Sequence, residues 1–180
     1  MENNSKTIQN LAEWGKSLVL AVIIAFLVLK FVLFFAIVPT GSMVPTINEG
    51  DRILVWRCLQ YFDWENRGLT HGDIVVFDFS EVSHGEDDKL LVKRVIGMGG
   101  DTISIDNGYV YRNGEKIDEP YVKNKDSFFM DEFVVPEGEL FLLGDNRANS
   151  FDGRYWESKG YSKTVPLTSV IGEVTFLFPW

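Results

Sequence analysis

The sequence predicts an all-β soluble domain of antiparallel sheets and hairpins, preceded by one N-terminal transmembrane helix. Three observations carry that expectation. Residues 18–29 are twelve apolar residues in a row, and eight more follow at 31–38 after Lys30. Beyond residue 40 the apolar positions repeat with period two among β-branched side chains, and no amphipathic helix of useful length can be drawn. Two dipeptides, Asn107-Gly108 and Asn113-Gly114, separate short alternating runs, which is the strongest local hairpin signal.

Taken in order, residues 1–10 are polar and unpatterned and read as a short tail. Residues 11–38 read as the anchor and its interfacial exit segment. A helix over 18–38 would span about 31 Å at ~1.5 Å per residue, enough for a bilayer. A register over 11–29 is preferred. It leaves Lys16 and Lys30 near water and holds Phe31, Phe34 and Phe35 at interface depth. A cleavable secretory signal fits less well, because the run is long and Ala36-Ile37-Val38 lacks a small-x-small pattern. Lys6 and Lys16 on one side are balanced by Arg52 and Arg57 on the other, so charge says little about orientation.

Residues 39–180 read as the β domain. Strands are expected at Arg52–Trp56, 74–79, 90–96, Thr102–Asp106, Tyr109–Arg112, 115–117, 133–135, Glu139–Leu143 and Val170–Phe178. An irregular connection at 57–72 carries Tyr61, Phe62 and Trp64, and 80–89 is an acidic loop. Gly97, Gly99 and Gly100 force a turn, 118–132 is loop-like, and about 102–135 forms a small inserted hairpin region.

Residues 1–30 hold three lysines and two glutamates of the 17 basic and 26 acidic residues, so the remainder carries 14 against 24. A surface this acidic repels phosphate backbones, so no nucleic-acid partner is expected. The single cysteine, Cys58, excludes an intramolecular disulfide and reads as an apolar filler. His71 and His84 have no metal-ligand spacing with another His or Cys and read as loop residues, so neither metal nor cofactor is expected.

Chemistry is concentrated where the apolar run ends, at Pro39-Thr40-Gly41-Ser42-Met43-Val44-Pro45. A hydroxyl one residue after a glycine and three before a proline suggests a backbone held to present one side chain. Serine is a weak nucleophile without a base in hydrogen-bond reach, and the two loop histidines give little support to a Ser–His–Asp set. The alternative base is a lysine kept neutral by burial. Lys93, inside the apolar run 90–96, fits that requirement best. The plainer reading is that Lys93 and Arg94 are ordinary strand residues, at most one of which faces the core side of a regular strand.

Four stretches then stand in order: residues 39–46, Gly72-Asp73-Ile74-Val75-Val76-Phe77, the run from Lys93-Arg94 to Gly100-Asp101, and Gly144-Asp145-Asn146-Arg147-Ala148-Asn149-Ser150-Phe151-Asp152-Gly153-Arg154. Together with the N-terminal apolar helix they resemble the successive boxes of bacterial type I signal peptidases, from the anchor to about residue 180. The resemblance implies a Ser–Lys peptidase with Ser42 as nucleophile and Lys93 as general base. It implies that the Ser42 N–H and the Thr40 hydroxyl serve as oxyanion donors, and that Ser150 orients the lysine amine. Asp145, Asp152 and Arg154 match supporting positions that hold Ser150 and the Gly144 backbone. It further implies exported preproteins as substrates and the lipid bilayer as partner. The place implied is a bacterial cytoplasmic membrane crossed once, with the tail at 1–10 cytoplasmic and the catalytic domain outside. Gly99 stands where the family usually has proline, Ala148 where it has aspartate, and Gly153 where it has serine. Two rival readings are a membrane-tethered β domain that binds or chaperones exported proteins without cutting, and a Ser–Lys self-cleaving regulator.

Overall fold

The computed structural model describes residues 2–57, 65–85 and 89–179. Cys58 and the aromatics Tyr61, Phe62 and Trp64 lie outside the described residues.

Helix α1 runs Glu2–Phe31. It therefore includes residues 2–10, expected as an unpatterned tail. Extending a helix by one residue needs no new nucleus, so a polar lead-in can follow an apolar helix that has already formed. From Leu18 to Val28 the large apolar side chains are exposed to varying degrees, Leu18 at 67% and Val28 at 36%. Among the described residues no helix is long and apolar enough to cross a membrane.

The segment expected as an interfacial exit is instead a strand, β1 (Leu33–Ile37), paired antiparallel with β2 (Arg52–Trp56) from Leu33↔Trp56 to Ile37↔Arg52. A period of two lies hidden in its all-apolar composition. Phe34 and Ala36 pack onto a core cluster, while Phe35 and Ile37 remain 61% and 65% exposed.

The remaining strands are β3 (Ile74–Asp78), β4 (Leu90–Met98), β5 (Thr102–Asp106), β6 (Tyr109–Arg112), β7 (Glu115–Lys116), β8 (Met130–Val134), β9 (Glu139–Leu143), β10 (Val165–Pro166) and β11 (Val170–Phe178). Most lie where alternation placed them. β10 was not expected, since two residues carry no period, and β8 begins three residues before the expected run. One sheet has the order β1-β2-β11-β3-β4-β9-β10 and a second the order β7-β6-β5-β8; the pairings in both are antiparallel. The second sheet is built on the two Asn-Gly turns, whose residues all adopt the positive φ that a type I′ hairpin demands: Asn107 48°, Gly108 76°, Asn113 55°, Gly114 80°.

Ile96, Phe141 and Leu143 of the large sheet join Ile103, Ile105 and Val110 of the small one in a single buried cluster. A second cluster gathers Val38, Met43, Ile47, Ile53, Val55 and Val76. That second cluster seats the Ser42 turn on the sheet, because Met43 at the end of the turn and Ile47 just after it are fully buried.

Candidate active site

Ser42 lies in one 3₁₀ turn, Gly41–Met43, entered from extended backbone at Thr40 (φ −135°, ψ 150°). The turn is short because Pro45 cannot continue a helix, and Val44 is already extended. Burying Met43 turns the neighbouring Ser42 side chain outward, into a groove of about 510 Å³. One wall of the groove is residues 38–42 and the other is 89–93, with Asn146, Asn149 and Phe151 closing it.

Lys93 reaches the same groove from β4. It is 3% exposed, and its Nζ lies 2.8 Å from Ser42 Oγ and 3.0 Å from the Val92 carbonyl. Burial strips water from the ammonium and draws the pKa from 10.5 down to about 8, while Asp152 and Asp145 at longer range oppose the shift. Among its described hydrogen bonds none is to a carboxylate, so the amine sits close to losing its proton at neutral pH.

Arg94, the next residue, is treated in the opposite way. Its Nε and Nη2 donate to the two oxygens of Asp145 at 2.8 and 2.6 Å, and its Nη1 donates to the Gly72 carbonyl at 2.7 Å. Thr46 Oγ1 donates to the same Asp145 at 2.5 Å, which ties the far end of the Ser42 segment to the last polar turn.

That last turn meets the Ser42 turn at its backbone. A Cβ on Gly144 would stand 2.2 Å from Ser150 Oγ and 2.5 Å from the Ser42 carbonyl oxygen, so only glycine fits. The Gly144 N–H donates to Asp152 at 3.0 Å, and Arg154 grips Asp152 through Nε at 2.8 Å and the Arg147 carbonyl through Nη2 at 2.7 Å. Asp152, gripped by Arg154, thus accepts from the Gly144 backbone, while Asp145 is held by Arg94 and Thr46.

Ser150 is buried beside Gly144, and its Oγ has no hydrogen-bond partner among the described residues. The expected bond to Lys93 is absent there, and the second contact of Lys93 is its own strand's Val92 carbonyl. The close packing of Gly144 against Ser150 occupies one side of that hydroxyl. Thr40 is exposed on the groove wall directly before the Ser42 turn.

At the groove itself, Asn146 escaped the reading of the sequence. Asn146 donates its main-chain N–H to the Ser42 carbonyl at 3.0 Å and its Nδ2 to the Gly41 carbonyl at 2.9 Å. The partners are more than 100 residues apart, and a lone asparagine in a polar turn has no local pattern that would single it out.

The three departures from the family pattern have local reasons or consequences. A Cβ at Gly99 would stand 2.9 Å from Glu137 Cα, and one at Gly153 would stand 2.7 Å from the Phe141 ring and 2.9 Å from the Lys163 carbonyl. Larger residues at 99 and 153 would need their neighbours to move. Ala148 is exposed and donates its N–H to the Asn124 carbonyl.

The signal peptidase, peptidase S26, family pattern matches residues 11–180. Signal peptidase I S of Bacillus subtilis (strain 168) is 37% identical over 164 residues, spanning 85% of this chain and 83% of that protein. Probable signal peptidase I-1 of Synechocystis sp. is 33% identical over 164 residues, spanning 89% of this chain and 79% of that one. A crystal structure of a signal peptidase I from Enterococcus faecalis V583 superposes with a TM-score of 0.45 at 28% identity, over 59% of this chain and 97% of the other. The match covers the Ser42 turn, β4 and the Gly144 turn in one span and the relatives align over most of both lengths, so this chain belongs to the signal peptidase (peptidase S26) family of serine peptidases.

Proposed function

We propose that the protein is a membrane-anchored endopeptidase that removes N-terminal signal peptides from exported preproteins, with Ser42 as nucleophile and Lys93 as general base. The observation that carries this reading is the 2.8 Å approach of a buried lysine amine, its pKa lowered to about 8, to the Ser42 hydroxyl. The names of the relatives, signal peptidases from Bacillus subtilis and Synechocystis, support the substrate class.

The reaction is acyl transfer. Neutral Lys93 Nζ takes the Ser42 proton as Oγ bonds to the scissile carbonyl carbon and the carbonyl electrons move onto oxygen. The tetrahedral species collapses, the C–N bond breaks, and Lys93 returns the proton to the leaving amine. An ester remains on Ser42. Water then gives a proton to Lys93 as its oxygen attacks that ester, and the second collapse restores the Ser42 hydroxyl and frees the signal peptide as a carboxylate. The Ser42 N–H and the Thr40 hydroxyl meet the oxyanion, a contribution worth roughly 10²–10³ in rate per donor. Asp145, Asp152 and Arg154 keep Gly144 and Ser150 in place.

The anchor is part of the proposal. Apolar side chains exposed along α1 from Leu18 to Val28 gain nothing in water, and lipid is the environment that satisfies them. The exposed aromatics Phe35, Trp56, Phe176 and Phe178 continue that surface onto β1, β2 and β11, with Phe35 and Phe178 in ring contact. The β domain, which begins at β1, would then work at the outer face of a bacterial cytoplasmic membrane, with α1 leading to it.

The test is cleavage of a preprotein by the detergent-solubilised chain, with the cut mapped by mass spectrometry. The expected result is one cut behind the signal peptide, lost in Ser42→Ala and in Lys93→Met. Binding of the preprotein without any cut would overturn the peptidase reading in favour of a tethered binding domain.

A further inference from the structure

Residues 118–129 leave the small sheet after β7, pack on the turn that follows Gly144 and return to the same sheet at β8. They do not line the groove, and Glu119-Pro120-Tyr121 within them holds two arginines. Glu119 is buried and forms an ion pair with buried Arg147, whose Nη2 donates to Oε1 and whose Nη1 donates to Oε2 at 3.3 Å. The Tyr121 hydroxyl donates to the same carboxylate at 3.2 Å, and the Tyr121 ring lies 3.9 Å from the Arg94 guanidinium carbon. Tyr121 is held un-ionised by its burial first and the Glu119 charge second.

Buried ion pairs add little net stability over an apolar replacement, so stability alone does not account for this one. Here Arg147, fixed at its far end by Glu119, donates Nε to the Gly144 carbonyl at 3.0 Å. Gly144 stands against the Ser42 carbonyl and Ser150 with no room for a methyl group, and Asn146, one residue before Arg147, holds the Gly41 and Ser42 carbonyls. Arg94, stacked on the Tyr121 ring, holds Asp145 with two hydrogen bonds. The route from Glu119 to the nucleophile's backbone is therefore Arg147, Gly144 and Asn146.

We propose that Glu119-Pro120-Tyr121 is a positioning element for the Ser42 turn, acting through Arg147 and Arg94. It rests on the peptidase reading above. Since the element does not line the groove, loosening it displaces the nucleophile while leaving substrate binding intact.

The experiment measures kcat and KM for preprotein cleavage by the full chain in detergent. Rates are taken per folded molecule at a temperature well below each variant's Tm. Glu119→Gln is expected to lower kcat by about 10- to 100-fold with KM within about twofold, the size expected for a misplacement on the order of an ångström. Arg147→Gln is expected to match it, and the double variant to be no worse than Arg147→Gln alone, because the two act in series. Tyr121→Leu keeps the buried pair and lowers kcat by roughly 3- to 10-fold; it decides the matter if Glu119→Gln fails to fold.

Unchanged kcat per folded molecule in Glu119→Gln and Tyr121→Leu overturns the proposal, as does a double variant whose loss is the product of the two single losses. If the parent chain itself fails to cut, and Ser42→Ala changes nothing, the peptidase reading has failed instead.

Discussion

Lys93 and Arg94 are neighbours on β4, both drawn out of water, and the protein treats them in opposite ways. On the Arg94 face a full counter-charge is supplied: Asp145 meets the guanidinium with two hydrogen bonds and the Tyr121 ring covers it. Burial disfavours the Arg94 charge, but Asp145 outweighs it and holds the pKa above its ordinary value. On the Lys93 face the carboxylates act only at longer range, and the described hydrogen bonds go to a hydroxyl and a carbonyl. Dehydration wins there and the pKa falls to about 8. One strand thus carries a structural cation and, in the proposed mechanism, the base, and the difference is the placement of one aspartate. The strand's alternation makes this possible, because adjacent side chains leave on opposite faces.

That contrast can be broken in order of decreasing effect. Lys93→Met should lower the cleavage rate by on the order of 10⁴-fold, the scale seen when a base is removed from a serine-hydrolase site. A variant retaining a tenth of the parent rate would contradict a base role. Asp145→Asn acts on the other face. It leaves the half-buried Arg94 beside a neutral amide, and urea unfolding should show a loss of about 1.5–3 kcal/mol.

Lys93→Met should also change stability, with the opposite sign. The folded pKa, about 8, lies below the ordinary 10.5, so the folded chain holds fewer protons than the unfolded one between those values. Stability therefore rises with pH across that window. Below pH 8 the dehydration cost of about 3 kcal/mol stands in full. Lys93→Met should relieve it at pH 7, and the gain should vanish as pH rises past about 10.5. An equal gain at both ends would mean that packing, not charge, is responsible. The smallest effect concerns the Ser42 turn. Asn146→Ala removes the Nδ2 bond to Gly41 but keeps the main-chain bond to Ser42, so kcat should fall about tenfold with KM little changed.

The parts of the fold legible in the sequence are those with local causes. The Asn107-Gly108 and Asn113-Gly114 hairpins were readable because a two-residue turn needs positive φ at both positions, and these residue types accept it. β11 was readable because nine residues carry a clear apolar bias. β1 was not, because Leu33–Ile37 continues an apolar run and its alternation only acquires meaning once β2 pairs with it.

The site divides in the same way. Lys93 stood out as a charge in an apolar strand, and Ser42 as a hydroxyl in a constrained turn. Asn146 and Glu119 did not, since each matters through a partner distant in sequence: Gly41 for one and Arg147 for the other. Ser150 shows the converse. The resemblance assigns it a bond to Lys93, whereas its hydroxyl is buried against Gly144 without a hydrogen-bond partner among the described residues.

The central claim is that a dehydrated, uncharged Lys93 activates Ser42. The pH dependence of kcat/KM for preprotein cleavage between pH 5 and about 10 tests it most directly. The predicted result is an acid limb that falls tenfold per pH unit below an apparent pKa near 8, with only about a tenth of the amine neutral at pH 7. A profile flat from pH 5 to about 9 would contradict it, because no lysine buried as Lys93 is could supply a base across that whole range.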